Sequence, residues 1–543
     1  MGNFASVAVC IGLALALALG IGCASADPTP APSASMVAPR PSTATSVHHP
    51  EEPHDAKPVA PPFRSTEVFT LKIEGGDVID GEGTPRRRAD VLVRGEEIAF
   101  VGDVDPSVKA EKVIDAKGAV VTPGFIDTHS HVDPAHVEVA IAQGVTLAVV
   151  GQDGLSPADD VGAWLRRLDA KRPRIDIATL VGHATVRGQA GAHGALLPAE
   201  RAKAAAIVGR AMADGAFGLS TGLEYDGGRD ADMDELVAMT EPVGKAGGVV
   251  MSHLRSEDDD KIEASLDELL EQCRRGGARA HVAHFKVVLG RGAARAKALL
   301  DKLEAARGTG LEVTSDAYPY TASYTTLGIL FPPFARPPHV YRSVLARRRK
   351  DVAEHLHDLV LKRNGPAALL FGDGIYAGRT LADVADANKA PFEDILVGLG
   401  PNGGSAAYFV MDEELQTAIL VDAEVAIGTD GGGGSAHPRG AGAFAKLLEE
   451  YVVKRAALTL ESAVRKMTTL PAHLLGLEGK AGCLRPGCAA NVLVFAPEEI
   501  RARATYAEPH ELAKGMRFVI VRGAVAIEHD RATRVHRGRA LRR

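Results

Sequence analysis

Cysteine is scarce in this chain, with five in 543 residues at Cys10, Cys23, Cys273, Cys483 and Cys488. Too few remain beyond the N-terminal leader to build a disulfide scaffold. A strong excess of one charge sign is also missing. The formal net charge of −7 on a chain of this size argues against nucleic acid as a partner and says nothing of fold. Aromatic residues are few at 5%, yet the 46% hydrophobic and 24% charged content is ordinary for a soluble α/β protein. Glycine, by contrast, is plentiful, and 58 of them suit many short loops between strands and helices. The length exceeds one ordinary core, so a large domain and a smaller one are expected.

The N-terminus lacks the basic start of a usual export signal, since no Lys or Arg precedes the apolar run Phe4–Gly22. The run nevertheless ends in Gly22-Cys23, followed by Ala24-Ser25-Ala26. Small residues before a cysteine mark a lipoprotein signal or an ordinary signal-peptidase site. Gly20 stands where a lipobox usually has Leu, and the run is nearly long enough to remain as an uncleaved anchor. The expectation is a lipoprotein-like signal peptide over residues 1–26, with Cys23 as the lipidated residue. The mature chain is then periplasmic or membrane-anchored in a bacterial envelope, and touches membrane only through this anchor. Residues 27–66 are rich in Pro, Ala, Ser and Thr, cannot bury enough surface to offset ordering, and read as a disordered tether. His48, His49 and His54 within it read as solvated tail residues.

From Val68 the pattern turns to short β-branched stretches at Val68–Ile73, Asp77–Ile79, Asp90–Val93, Ile98–Val101 and Lys112–Asp115. Turn residues separate them, as in Glu74-Gly75-Gly76 and Gly81-Glu82-Gly83. A matching set returns at Asn491–Phe495, Phe518–Val521 and Ala524–Glu528. The two sets predict a small β-sandwich built from both chain ends, residues 67–122 and 479–543. Between them, residues 123–478 alternate apolar runs with helical stretches such as Pro198–Asp214 and Ile262–Gly276, which implies parallel strands with crossover helices. The strand candidates are Gly124–His131, Val145–Gly151, Ile175–His183, Ala216–Ser220, Val249–His253, Ala280–His284, Leu311–Asp316 and Val425–Asp430. Eight is the number that closes a (β/α)8 barrel. Polar residues recur at the ends of these runs (His129, His131, Asp153, His183, His253, His284, Asp316, Asp430), where such a barrel assembles its active site.

The sharpest motif is Pro-Gly-Phe-Ile-Asp-Thr-His-Ser-His at 123–131. Residues two apart on a strand point the same way, so His129 and His131 converge on one point, as metal ligands or as two buried histidines bonded to neighbours. His253, His284 and Asp430 each follow an apolar run as well. Four imidazoles and a carboxylate favour zinc or a similar borderline ion over calcium or magnesium. His183 reads as a group supporting ligands rather than as a ligand itself. The run Gly431–Gly434 lacks the Lys and helix context of a phosphate-binding loop and reads as an active-site loop. Cys483 and Cys488 flank Leu-Arg-Pro-Gly and are either a disulfide or two buried thiols. Cys273, inside a predicted helix, reads as core.

Together these motifs resemble the D-aminoacylase (N-acyl-D-amino-acid deacylase) family of the amidohydrolase superfamily, from about Val68 to the C-terminus. Further matching segments are Gly-Leu-Ser-Thr-Gly-Leu-Glu-Tyr (218–225), Ser-Asp-Ala-Tyr-Pro-Tyr-Thr-Ala (315–322) and His-Pro-Arg-Gly (437–440). Leu-Pro-Ala-His (470–473) and Thr-Tyr-Ala-Glu-Pro-His (505–510) match too. The resemblance implies His129, His131 and Asp430 at one metal position and His253 and His284 at the other. A family cysteine that usually completes or bridges the site is Asp153 here, in Gly151-Gln152-Asp153-Gly154. A carboxylate also ligates zinc but is harder than a thiolate, so one or two ions are expected and manganese or cobalt become competitors.

The implied reaction is hydrolysis of the amide of an N-acyl-D-amino acid by metal-activated water. Asp430 would be the general base that later protonates the leaving amine, and Tyr225 would stabilise the developing oxyanion. Lys286, Tyr318 and Arg439 would hold the substrate carboxylate. A cyclic-amide or isoaspartyl-dipeptide hydrolase of the same superfamily often carries a carboxylated lysine on the fourth strand, and Gly215–Gly222 has none. From a different class comes a non-catalytic ligand-binding lipoprotein on the same fold, which only the exchange at Asp153 supports.

Overall fold

The computed structural model describes residues 61–192 and 194–543. The expected signal peptide, Cys23, the three tail histidines and most of the expected tether lie outside the described residues. Eight strand positions form a ring: Phe125–Asp127, Val145–Val150, Asp176–Thr179 continued by Val181–Gly182, Gly218–Gly222, Val249–His253, Arg279–Val282, Val313–Ala317 and Val425–Ile427. All neighbouring pairs in its two sheets are parallel. The third strand, interrupted at Leu180, joins those sheets by pairing the second strand on one side and the fourth on the other.

The other seam, from eighth strand to first, closes just beyond the strands themselves. Asp430 N donates to His129 O at 2.8 Å, His131 N donates to Gly431 O at 3.0 Å, and Thr128 Oγ1 reaches Ile427 O at 3.2 Å. The expected (β/α)8 barrel is therefore the fold, and each of the eight predicted runs overlaps one strand position of the ring. Strands covered on both faces need no polar alternation, and Val145–Val150 is buried at every residue. The surrounding helices do alternate. Ile262–Gly276 buries Ile262, Leu266, Leu269, Leu270 and Cys273 along one stripe and stops at Gly277, whose φ of 71° suits a glycine C-cap. Replacing one such leucine by alanine costs about 2–5 kcal/mol. Cys273 is free and buried there, as expected.

The smaller domain does draw on both chain ends. Val120–Pro123 pairs antiparallel with Val492–Phe495, with Val121 opposite Val494, and so merges the two sets into one nine-stranded sheet. Leu71, Ile73, Val91, Val93, Val492, Val494 and Ile520 share the core between its halves. The turn expected at Glu74-Gly75-Gly76 is instead a bulge within one long strand, Val68–Val78. Gly75 takes φ 73° there, and a Cβ on Gly76 would meet Val121 Cγ2 at 2.5 Å. Cys483 and Cys488 are joined as a disulfide.

Two boundaries move. Part of the segment read as tether packs on the small domain, because Phe63 stacks on Phe100 at 4.4 Å and bridges to Val104. At the other end, residues 539–543 leave the small domain and bind the barrel's N-terminal rim. Leu541 N donates to Ile177 O at 2.7 Å and Arg543 Nε to Ala246 O at 2.8 Å.

No element was expected between the seventh strand and the helix Glu413–Val421. The structure places an insertion there with a three-stranded antiparallel sheet (Ser323–Thr326, Leu369–Phe371, Ser405–Tyr408) and the helix Tyr341–Lys362. It has its own core of Leu330, Phe331, Val352, Leu356, Phe371 and Val397. Its first strand overhangs the C-terminal mouth of the barrel.

Candidate metal centre and active site

At that mouth a cavity of about 560 Å3 is lined from both the barrel and the insertion. His129, His131, Asp153 and Asp430 bring one ligand atom each within 4.8 Å of one another, and Asp153, His253 and His284 form a second such set. Asp153 belongs to both. Its Oδ1 is 3.4 Å from His129 Nε2 and 3.4 Å from His284 Nε2, its Oδ2 is 3.1 Å from His131 Nε2, and His253 Nδ1 is 3.9 Å from Oδ1. The carboxylate at 153 thus stands between the two halves of the site.

Three of these six residues owe their aim to unusual backbone. Asp153, His284 and Asp430 have φ of 54°, 37° and 46°. Left-handed conformations cost a residue other than glycine roughly 1–3 kcal/mol and persist only where the surroundings impose them. Here the supports are visible. Asp316 accepts from His284 N at 2.6 Å, Thr128 Oγ1 at 2.8 Å and His281 Nε2 at 2.8 Å, which ties the first, sixth and seventh strands together. Asp127 accepts from Thr429 N at 2.8 Å and Thr429 Oγ1 at 2.7 Å, beside Asp430. Burial pushes the Asp127 carboxyl up to about 7 against the two bonds from Thr429.

The electrostatics favour a cation. Burial opposes charge on Asp430, but the Arg439 guanidinium at 2.6 Å, His284 and His131 hold its carboxyl well below the ordinary range. Burial likewise opposes charge on Asp153 and is outweighed by His129, His131 and His284. His131 is pushed up to about 9, because Asp153 and Asp430 outweigh its own desolvation. His129 is fully buried and neither ring nitrogen has a hydrogen-bond partner. A buried polar group left unpaired costs about 1–3 kcal/mol. A divalent ion held by the histidines and by Asp153 and Asp430 would satisfy its Nε2, the nitrogen that faces both carboxylates. The donor set, imidazole with carboxylate, is the one zinc and its neighbours prefer.

The remaining expected residues fall in different places. Lys286 lines the cavity, but its ammonium is engaged by Glu257 Oε1 at 2.7 Å and stands 2.9 Å from His284 Nδ1. Arg439 lines it too, paired with Asp430 and held by His437, whose Nδ1 accepts from Arg439 N at 3.0 Å. Tyr318 is buried behind Arg439, its ring 4.7 Å from the guanidinium, and is not on the cavity wall. Tyr225 is on the wall, with its ring 4.5 Å from His253 and its hydroxyl accepting from Thr325 Oγ1 at 3.3 Å. His183 does not support the ligands. Its Nε2 meets Glu235 at 2.9 Å in a buried cluster with Arg187, and its ring bonds to none of the ligand residues. Gly431, Gly432 and Gly434 line the cavity, and a Cβ on Gly432 would meet His131 O at 2.4 Å.

Sequence reasoning passed over Glu224, Glu257, Thr325 and Arg336, all at the site. Glu224 and Glu257 lie two and four residues past strand ends, Glu224 inside a segment already singled out and Glu257 just behind His253. The signal that could have found them is an acid close behind a ligand-bearing strand. For Thr325 and Arg336, in the insertion, no such signal exists.

Six side chains able to hold a metal, gathered at the C-terminal mouth of a (β/α)8 barrel, are the arrangement of a metal-dependent barrel hydrolase. Two models of the amidohydrolase family match the chain, over residues 112–315 and 413–525, and the gap between them is mostly the insertion. An N-acyl-D-glutamate deacylase of Alcaligenes xylosoxydans xylosoxydans is 35% identical over 508 residues, covering 88% of this chain and 97% of that one. Among solved structures, the N-acyl-D-glutamate deacylase of Bordetella bronchiseptica, complexed with zinc and a phosphonate mimic of the tetrahedral intermediate, superposes with a TM-score of 0.78. It is 32% identical and covers 88% of this chain and all (100%) of that one. A D-aminoacylase described as having a binuclear metal centre gives a TM-score of 0.74 at 31% identity, with 88% of this chain and 100% of that one covered. The chain belongs to the N-acyl-D-amino-acid deacylase family of amidohydrolases.

Proposed function

We propose that this protein hydrolyses the amide bond of N-acyl-D-amino acids, with zinc in the site, in the bacterial cell envelope. One observation carries the reading: Asp153 sits among four histidines, so the exchange that alone favoured a non-catalytic binding protein keeps a ligand in place. When bound, the metal would be held by His129, His131, Asp153, His253, His284 and Asp430, and would supply an activated water and a polarised amide carbonyl.

The chain's own residues do the rest. Asp430, kept ionised by Arg439, has an acceptor oxygen 3.5 Å from His131 Nε2, at the centre of the first ligand set. It would take a proton from the attacking water and return it to the leaving nitrogen. Burial and the surrounding carboxylates raise Tyr225 well above its ordinary value, so its hydroxyl keeps its proton and can donate to a developing oxyanion. The Arg439 and Lys286 cations at the wall favour a substrate carboxylate.

Export and acylation at Cys23 are part of the same proposal. The apolar leader ending in Gly22-Cys23 supports both, and the Cys483–Cys488 disulfide supports export, since such bonds persist in oxidising compartments. Palmitate labelling abolished by Cys23→Ser would establish the anchor. For the chemistry, metal content is measured beside turnover of N-acetyl-D- and N-acetyl-L-amino acids. Zinc at one or two per chain, D-selective hydrolysis and a fall in kcat of about 100- to 10,000-fold in Asp430→Ala are expected. A chain that holds no zinc, manganese or cobalt and turns over neither series would refute the proposal.

A further inference from the structure

Each histidine of the second ligand set has a carboxylate behind it, but the two are not equivalent. Glu257 lies 3.1 Å from His284 Nδ1 and shares its charge with Lys286. Glu224 lies 3.0 Å from His253 Nε2 and pairs with no Lys or Arg among the described residues. His253 meanwhile turns its other nitrogen, Nδ1, toward the ligands: 3.0 Å from His284 Nε2 and 3.9 Å from Asp153 Oδ1. The Tyr225 ring packs against the same imidazole, so the ring is held both at its edge and on a face.

An ionised carboxylate can only accept a hydrogen bond. Facing Glu224, Nε2 of His253 therefore carries the ring proton, and Nδ1 presents a lone pair to the ligand cluster. We propose that Glu224 is a positioning residue that fixes His253 in this tautomer and strengthens Nδ1 as a ligand for the second metal position. Carboxylates behind ligating histidines do this in metal sites generally, and their loss costs about 10- to 100-fold in affinity. Glu224, His253 and Glu257 also form a compact group that could itself be taken for a ligand set. The ring geometry decides against that role for Glu224. It addresses the nitrogen opposite the one that converges with His284 and Asp153, so an ion on Nδ1 is out of its reach.

The first set differs. His129 has no partner on either nitrogen, so the loss of Glu224 should weaken one metal position and spare the other. The segment supplies its own reason for the placement. Glu224 and Tyr225 follow the fourth strand, Gly218–Gly222, where Gly222 lies so close to Asp153 that a Cβ would meet Asp153 O at 2.3 Å. That glycine brings the loop against the Asp153 turn and sets both side chains over His253.

The inference rests on the metal reading above, and the test separates the two. Full-length wild type, Glu224→Ala and Glu224→Gln are compared for zinc per chain after dialysis, for zinc release to a competing chelator, and for the visible spectrum of the cobalt-substituted protein. Glu224→Ala should hold one ion as tightly as wild type and the other about 10- to 100-fold more weakly, with an altered cobalt spectrum. Glu224→Gln should recover most of that loss, since its amide oxygen accepts the same bond in a side chain of the same shape. Wild-type affinity and spectrum in Glu224→Ala would overturn the inference. Equal loss in both variants would also overturn it, by making Glu224 a ligand. A wild-type chain without metal would instead sink the functional reading on which it rests.

Discussion

Deleting the Asp153 side chain tests the centre of the site most directly. In Asp153→Ala the first set keeps three side chains, His129, His131 and Asp430, while the second falls to His253 and His284. Catalytic zinc sites work with three protein ligands and structural ones with four, so the first position survives and the second does not. Apparent binding free energies of about 10–16 kcal/mol shared among four ligands assign roughly 3 kcal/mol to each. At about 1.4 kcal/mol per decade, that is a loss near 100-fold at the second position. Metal at the second position should be lost on dialysis, and chelator competition should show an ion at the first position weakened by a similar factor but still bound, because three of its ligands remain. Asp153→Cys should restore the second ion and favour zinc over manganese more strongly than wild type, because a thiolate is the softer donor. Two tightly held ions in Asp153→Ala would refute the shared-ligand reasoning, whatever the activity.

Arg336 lines the same cavity with its side chain 14% exposed, its Nε has no partner, and its nearest acid is Asp226 at 3.7 Å. A guanidinium in that state suits a second carboxylate, so N-acetyl-D-glutamate or D-aspartate should be preferred to N-acetyl-D-leucine. Arg336→Met should erase a preference of about 10- to 100-fold in kcat/KM, corresponding to a charged hydrogen bond of about 1.5–3 kcal/mol, and equal rates in wild type would refute this. Far from the site, burial pushes the Lys466 ammonium down from 10.5 to about 7. The unfolded chain then holds a proton that the folded one lacks between those values, so this group's penalty is full below pH 7 and vanishes above pH 10.5. That penalty is about 5 kcal/mol at most. Lys466→Met should melt higher than wild type at pH 6 and lose the advantage by pH 10, and a lower melting point at pH 6 would count against it.

The barrel was legible because its strands are almost entirely buried and short, so apolar runs ending in histidine or aspartate stand out against amphipathic helices such as Ile262–Gly276. The six candidate ligands were legible for the same reason: they sit at strand ends, where fold and chemistry coincide. Side-chain contacts that depend on loops were not. Tyr318 falls within a conspicuous motif, yet it packs behind Arg439. His183 ends a strand, yet its ring turns to Glu235. The bulge at Gly75 was mistaken for a turn, because glycine at positive φ serves both and only the register with Arg87–Arg94 separates them. The insertion was invisible for a different reason. Its short strands pair across long stretches of sequence, Phe371 with Ala406 and Ser323 with Tyr408, and its core is completed by non-local pairing that periodicity cannot reveal.

The exchange at 153 makes chemical sense once these neighbours are considered. A thiolate presents one atom to both metal positions, whereas a carboxylate presents two. Here Oδ2 leans to His131 while Oδ1 faces His129 and His284. What the oxygen donor gives up in softness must come from the other ligands if zinc is to be held. The second position has only two ligands besides Asp153, and it is there that both histidines are backed by acids, Glu224 and Glu257. The first position has Asp430 as a ligand of its own and leaves His129 without such support. The distribution of charge behind the ligands follows the distribution of need. Hardening one ligand and strengthening its neighbours are two parts of a single arrangement, which is why changes at 153 and 224 should be non-additive when combined.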